Sequence, residues 1–225
     1  MHTICSYEIN EPDAYALEEA LQLREKHTGE VIVLCLGPEH AAQIIREALA
    51  KGADRAIHVV TDEVLDSLNT ARALAAAVKD EAPDLLLTGL QSDDLGSGQT
   101  GVVLAELLGV PHSTIIMQVE VGNGSVRVKR ELEDGWFQHI EMPLPAVLTI
   151  QSGLNKLRYA TLMGIKKAKS KEIKAVTPEA AVASSAMIEK IYAPQKSKQA
   201  QIFTGDAKTA AAQLVEKLRF EARVL

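Results

Sequence analysis

The sequence predicts an α/β protein: a doubly wound, mostly parallel sheet, an added β-hairpin region and an extended C-terminal arm ending in a helix. Three observations predict it. Short apolar runs alternate with stretches of helical periodicity as far as Pro111. A glycine-rich loop separates the last of these runs from the helix after it. Beyond Pro111 the pattern turns to strand-length segments broken by turn residues.

Asn10, Pro12 and Asp13 mark the start of the first helix: a capping amide, a proline in the first turn and an acid near the positive end of the helix dipole. Residues 13–26 then place Leu17, Ala20 and Leu21 on one face. VIVLCLGP (31–38) reads as a strand buried on both faces and stopped by Gly37 and Pro38. In EHAAQIIREALAKG (39–52), Ala41, Ile44, Ile45, Ala48 and Leu49 fall at helical spacing and Gly52 ends the helix. DRAIHVV (54–60) is a short strand. Thr61, Asp62 and Glu63 are expected to open a long helix with the stripe Val64, Leu65, Leu68, Ala71, Ala75 and Val78. DLLLTGL (84–90) is another buried strand and QTGVVLAELLG (99–109) another helix. Right-handed crossovers make such a chain doubly wound, with a ligand expected at the carboxyl ends of the strands.

After Pro111, STIIMQVEV, GNG and SVRVKREL form a hairpin, and WFQHIEM continues it after the turn EDG. Trp136 and Phe137 are expected to pack there. LPAVLTIQ (144–151) returns a strand to the core. Residues 153–175 hold seven basic residues against one acid, Glu172, and read as a solvated linker or a surface for an acidic protein. Residues 176–200 read as an extended arm, and DAKTAAAQLVEKLRFEARVL (206–225) as a closing helix with Leu214, Val215 and Leu218 on one side.

Composition narrows the function classes. A net charge of −6 argues against nucleic acid as the main partner. Cys5 and Cys35 make neither a disulfide scaffold nor a zinc site, which points to a reducing cytoplasm. VIVLCL (31–36) is far too short to span a bilayer, and MHTICSYEIN lacks the pattern of a signal peptide. His2, His27, His40, His58, His112 and His139 are scattered without ligand spacing, and no nucleophile motif occurs. No catalytic residue and no metal site is expected.

The loop GLQSDDLGSGQTG (89–101) carries the one binding signal. Its short side chains let backbone N–H groups approach a ligand, and the following helix N-terminus favours an anion. Together they suit a phosphate without any lysine, with Gln99 and Thr100 adding donors. The glycine spacing matches neither a Walker A loop nor GxGxxG. The plainer reading is a turn capped by Ser or Asp, and Asp93 and Asp94 read as solvated or capping groups rather than as acid/base catalysts.

Three stretches together resemble the electron transfer flavoprotein beta-subunit family. INEPDAYALEEALQL (9–23) is similar to its Asn-Pro helix start, and VRVKRELEDGWFQHIEMPLPAVLTI (126–150) to its long signature. RYATLMGIKKAKSKEI (158–173) resembles its Arg-Tyr segment. The resemblance implies a Rossmann-like adenine-nucleotide-binding domain over residues 1–175, and a C-terminal arm and helix, 176–225, for contact with an alpha subunit. The alpha subunit would hold most of the FAD site. This chain would bind AMP, or a second FAD in electron-bifurcating relatives. The nucleotide contacts so implied are Asn10, Glu11, Pro12 and Asp13; Leu36; and Gly89, Leu90, Gln91, Ser92, Asp93, Asp94, Leu95, Gly96, Ser97, Gly98, Gln99 and Thr100. Leu162 would anchor docking to an acyl-CoA or related dehydrogenase, with Lys166, Lys167 and Lys169 steering an acidic partner. Electrons would pass on to a quinone reductase or another acceptor. A stand-alone adenine-nucleotide-binding regulatory module is the reading from a different class. Departures from the family lead to further expectations. Asn10 and Pro12 are separated by Glu11, and Met163-Gly164 replaces the Leu-Pro continuation, which would loosen the docking loop. The family's first, central strand has no counterpart here, so unpaired backbone and uncovered apolar faces are expected inside the sheet.

Overall fold

The computed structural model describes residues 7–178, 181–184, 186–192 and 200–224. The chain forms two compact units, Met1–Met187 and Ile188–Leu225. In the first, α1 (Glu11–His27), β1 (Ile32–Gly37), α2 (Ala42–Lys51), β2 (Arg55–Val60), α3 (Ser67–Val78), β3 (Leu85–Gly89) and α4 (Thr100–Leu108) alternate as the periodicity predicts. They are followed by β4 (His112–Val121), β5 (Ser125–Glu131), β6 (Phe137–Pro143), β7 (Ala146–Ile150), α5 (Leu162–Ala168) and β8 (Ile173–Val176). In the second unit the regular element among the described residues is α6 (Ala207–Phe220), capped by the Asp206 carboxylate.

The strands form two sheets. One has the order β1-β2-β8 and is parallel throughout; the other has the order β3-β7-β4-β5-β6. In the second, β3, β7 and β4 are parallel, and β5 and β6 extend it antiparallel as the predicted hairpin. The architecture is mixed α/β, parallel-dominated and Rossmann-like. The mixed order follows from connection length: the three-residue turn between β4 and β5 permits only antiparallel pairing, whereas the helical connections allow parallel strands.

Two apolar clusters form the core. One gathers Ile116, Val126, Val128, Leu148 and Ile150 beneath Ala16 of α1. The other gathers Leu21 of α1 with Ile45, Leu49, Ala56 and Ala168. One helix thus serves both sheets. Strand burial follows neighbour count: β7, between two strands, is buried along its whole length, whereas β1 and β3, each paired on one side among the described residues, are half-buried over most of theirs.

Three expectations change. The helix after β2 begins at Ser67, not Thr61, because the Asp66 carboxylate caps it by accepting from the Asn69 amide at 2.9 Å. The Thr61 hydroxyl instead accepts from the Glu63 amide, a local turn that competes with helix, and Val64 is exposed. Trp136 and Phe137 do not pack inward: Trp136 is 72% exposed, and Phe137 lies under the Lys129 ammonium, 3.9 Å from its ring centroid. The basic stretch is only partly solvated. It contains α5 and β8, and the Lys171 ammonium donates to the Leu49 and Ala53 carbonyls at the negative end of α2.

Candidate functional site

The glycine-rich loop joins β3 to α4 at the carboxyl end of its strand, and the N-terminus of α1 closes against it. Pairing is reciprocal. The Asn10 side-chain amide donates to the Gln91 carbonyl at 3.0 Å, and its oxygen accepts from the Asp93 amide at 2.9 Å. The Asp93 carboxylate in turn accepts from the Glu11 amide at 3.2 Å, and Asp13 accepts from the Gly89 amide at 2.6 Å. Pro12 is buried in the first turn of α1. Asn10 therefore does not cap its own helix; it fastens α1 to the loop.

Inside the loop, Ser92 organises a turn. Its carbonyl accepts from the Gly96 amide at 2.9 Å and its hydroxyl faces the amides of Leu95 and Gly96 at 3.3 Å. The Asp94 carboxylate accepts from the Leu95 amide at 2.6 Å, and the Ser92 hydroxyl and that amide hold its carboxyl below the usual range. Gly96 and Gly98 take φ of +63° and +61°, a conformation that costs glycine nothing. Ser97 meets Ser67 at the start of α3, 3.2 Å between hydroxyl oxygens. Leu95 points to solvent, and Leu90 donates its amide to Ile150.

Behind the loop, glycine is required for space. A Cβ on Gly101 would lie 2.6 Å from both Thr88 Oγ1 and Thr149 Cγ2. One on Gly89 would lie 2.8 Å from the Asp13 nitrogen and 2.8 Å from its Oδ2. Gly89→Ala is expected to lower stability by about 1–3 kcal/mol, measured by urea unfolding, and to speed exchange of the Asp93 amide.

α4 begins at Thr100 with no side chain capping it, so its first-turn amides stay open beside Gly98 and Gln99. With no lysine or arginine between Gly89 and Gly101, an anion here would be held by main-chain donors and the helix dipole. The donor set fits a phosphate group: backbone from Ser97 to Thr100, and polar side chains at Ser97, Gln99 and Thr100. The Asp93 carboxylate is committed to the Glu11 amide of α1 and that of Asp94 to the Leu95 amide of the loop, in keeping with structural roles. Leu36 lies in the other sheet, near the carboxyl end of β1. Among the described residues no group of three or more His, Cys, Asp or Glu could hold a metal ion.

The other predicted surface lies on α5. Thr161 caps it by accepting from the Gly164 amide at 3.0 Å, and Leu162 at its first position is 81% exposed. Tyr159, Met163 and Ile165 are exposed beside it, and Lys166, Lys167 and Lys169 follow. The expected loosening does not occur. The segment is a capped helix pressed onto α2, and Gly164 packs so tightly that a Cβ would meet the Ala50 carbonyl oxygen. Arg46 reinforces the contact by donating to the Ala168 and Lys171 carbonyls at 2.6 and 2.5 Å.

Sequence reasoning missed the device that holds the irregular segment leading into α5. Arg158 Nε and Nη2 donate to Glu18 at 2.7 and 3.0 Å, and Nη1 and Nη2 to Glu25 at 2.6 and 3.3 Å, both acids on α1. Asn155 donates to the Tyr15 carbonyl and to Glu19. Burial alone would raise the Glu18 carboxyl, but the hydrogen bonds from Arg158 and Gln22 bring it below its usual range; burial pushes Glu19 up. The signal was present in the sequence. Glu18 falls on the face of α1 that also carries Leu21, where an unpaired acid would not survive burial.

A family model for the electron transfer flavoprotein domain matches residues 5–181. The chain belongs to the electron transfer flavoprotein family. Relatives named electron transfer flavoprotein subunit beta agree over most of the sequence. That of Methylophilus methylotrophus is 37% identical, covering 93% of this chain and 85% of the relative. That of Bacillus subtilis is 36% identical, over 96% and 88%. A mitochondrial one from Oryza sativa subsp. japonica is 41% identical, over 93% and 84%. As a beta-type member of the electron transfer flavoprotein family, the chain has an electron-transfer role, and a subunit of the alpha type is its implied partner. No helix among the described residues is long and apolar enough to cross a membrane.

Proposed function

We propose that this electron transfer flavoprotein chain binds AMP structurally in the loop from Gly89 to Thr100, closed by Asn10 to Asp13. It assembles with an alpha subunit that holds most of the FAD site, and the pair carries electrons from an acyl-CoA or related dehydrogenase to a quinone reductase or similar acceptor in the cytoplasm. The observation that carries the reading is the uncapped N-terminus of α4 opening beside a glycine-built, cation-free loop at a strand's carboxyl end. In this reading the protein supplies position rather than chemistry. FAD supplies the redox step, and the residues of this chain bind the nucleotide and orient the partners.

Leu162, with Tyr159 and Met163, supports the docking role: a rigid, exposed apolar cluster followed by lysines suits a partner with an apolar pocket and an acidic rim. Leu162→Ala is expected to raise the carrier concentration for half-maximal reduction by the dehydrogenase about tenfold, because a buried leucine contributes roughly 1.5–3 kcal/mol. Lysine-to-glutamine changes at Lys166, Lys167 and Lys169 should weaken the salt dependence of that association.

The test of the nucleotide assignment is purification with the alpha subunit, followed by quantitation of the FAD and AMP released on denaturation. One of each per heterodimer is expected. Two FAD and no AMP would instead assign an electron-bifurcating role, and nucleotide bound by a homodimer without any alpha subunit would assign a regulatory module.

A further inference from the structure

Asn69 sits in the first turn of α3 and is 2% exposed, a buried polar side chain that needs partners. It finds them in a segment more than a hundred residues away. Its side-chain oxygen accepts from the Val182 amide at 2.9 Å. Its NH2 group donates to the Val182 carbonyl at 3.1 Å, to the Ser184 hydroxyl at 3.4 Å and to the Asp66 carboxylate at 2.9 Å. Asp66 therefore has two roles. It caps α3 by accepting from the Asn69 backbone amide, and it fixes which way the Asn69 side chain faces. A flipped amide would set its oxygen against the Asp66 carboxylate and its NH2 group against the Val182 N–H.

Val182 gives both of its main-chain groups to one side-chain amide, as paired residues of antiparallel strands do for each other. The contact thus recognises main chain rather than a particular side chain. Residues 181–184 are all exposed, so burial of apolar surface does not hold them in place. Among the described residues, the hydrogen bonds that reach 181–184 all come from Asn69. An apolar residue would cover α3 with less desolvation, so the value of a buried amide here lies in the bonds it makes.

We propose that Asn69 is a positioning residue for subunit assembly: it fixes the chain at Val182 and so gives the C-terminal arm an ordered root when an alpha subunit binds it. The inference rests on the reading that the arm, residues 176–225, contacts an alpha subunit. An arm pinned near its start loses less freedom on binding than one released from the end of β8 onward.

Two variants approach the contact from opposite sides. Asn69→Ala removes the side-chain amide, while the backbone amide at position 69 still donates to Asp66 and alanine is the better helix former. Val182→Pro removes the N–H and leaves α3 untouched. In hydrogen exchange of the full chain, Asn69→Ala should speed the Val182 amide about tenfold and leave Ala71–Val78 unchanged, which separates release of the segment from loss of the helix. Titrated with FAD-loaded alpha subunit, each variant should bind about fivefold more weakly. The double variant should bind no more weakly than either single one, a non-additivity that general loosening of the chain would not produce. In the native chain the alpha subunit should slow exchange in residues 186–192 and in α6.

Absence of that slowing would overturn the reading of the arm, and the proposal with it. Slowing in the native chain together with unchanged affinity in Asn69→Ala would overturn the proposal alone. So would a Val182 amide that exchanges equally fast in native chain and variant, or losses of affinity that add in the double variant.

Discussion

Arg158→Met is expected to destabilise the first unit by roughly 3 kcal/mol, the lower end for breaking a buried ion pair because Arg158 itself keeps partial solvent contact. For a chain of this size that lowers Tm by roughly 6–12 °C. The loss comes from Glu18, whose side chain is 5% exposed and would be left charged with the Gln22 amide as its remaining side-chain donor. A double change with Glu18→Gln should recover much of it, whereas Glu25→Gln alone should cost little, since Glu25 is exposed. The pH dependence separates lost charge pairing from lost packing. In the native chain Glu18 sits below its usual range, so its contribution is present above the unfolded carboxylate pKa and is lost as pH falls through the folded value. In the variant burial, the larger effect, is opposed only by the Gln22 hydrogen bond and raises Glu18, so acid relieves a penalty instead. The stability gap between native and variant should therefore narrow as pH falls from 7 towards 4. Glu19, already raised by burial, follows the second pattern in both proteins and does not alter the sign of the difference.

Gly164→Ala tests a second contact, where two effects oppose each other. Alanine favours helix over glycine by about 1 kcal/mol, so in an isolated α5 the change would stabilise. Here the new methyl would meet the Ala50 carbonyl oxygen, which is backbone and cannot swing aside. α5 cannot slide away cheaply either, because Arg46 and Lys171 tie its far end to α2 with four hydrogen bonds to carbonyls. Overpacking of this kind costs about 1–3 kcal/mol, and the clash with fixed backbone puts this site at the upper end. A net loss of about 2 kcal/mol in urea unfolding is expected, with faster exchange through Leu162–Ala168. A stabilised variant would mean that α5 is free of α2.

The order of elements was legible because apolar periodicity is written locally. Ile45, Ala48 and Leu49 announce α2, and the Gly-Asn-Gly turn announces the β4–β5 hairpin. The loop was legible as a glycine-built turn into a helix for the same reason, since its glycines and the helix after it are contiguous. What failed depended on competition or distance. Thr61 and Asp66 can both start a helix, and only the hydrogen bond to Asn69 selects Asp66. Trp136 looks like core by composition but sits at the turn between β5 and β6, where it is largely exposed among the described residues. Arg158 lies 140 residues from Glu18, so no local pattern connects them. Asn10 was read as a cap, and its bonds to Gln91 and Asp93 emerge only once α1 lies against β3.

The donors proposed for an anion in the loop before α4 belong largely to the main chain, and this changes how the region responds to mutation. An alanine scan removes side chains and leaves amides, so most single changes from Gln91 to Gln99 should pass with little effect on anion affinity. Random mutagenesis would score the segment as dispensable. Backbone editing, such as amide-to-ester replacement at Thr100 or Gly101, addresses the groups that would hold the proposed anion and would expose a dependence that side-chain genetics overlooks.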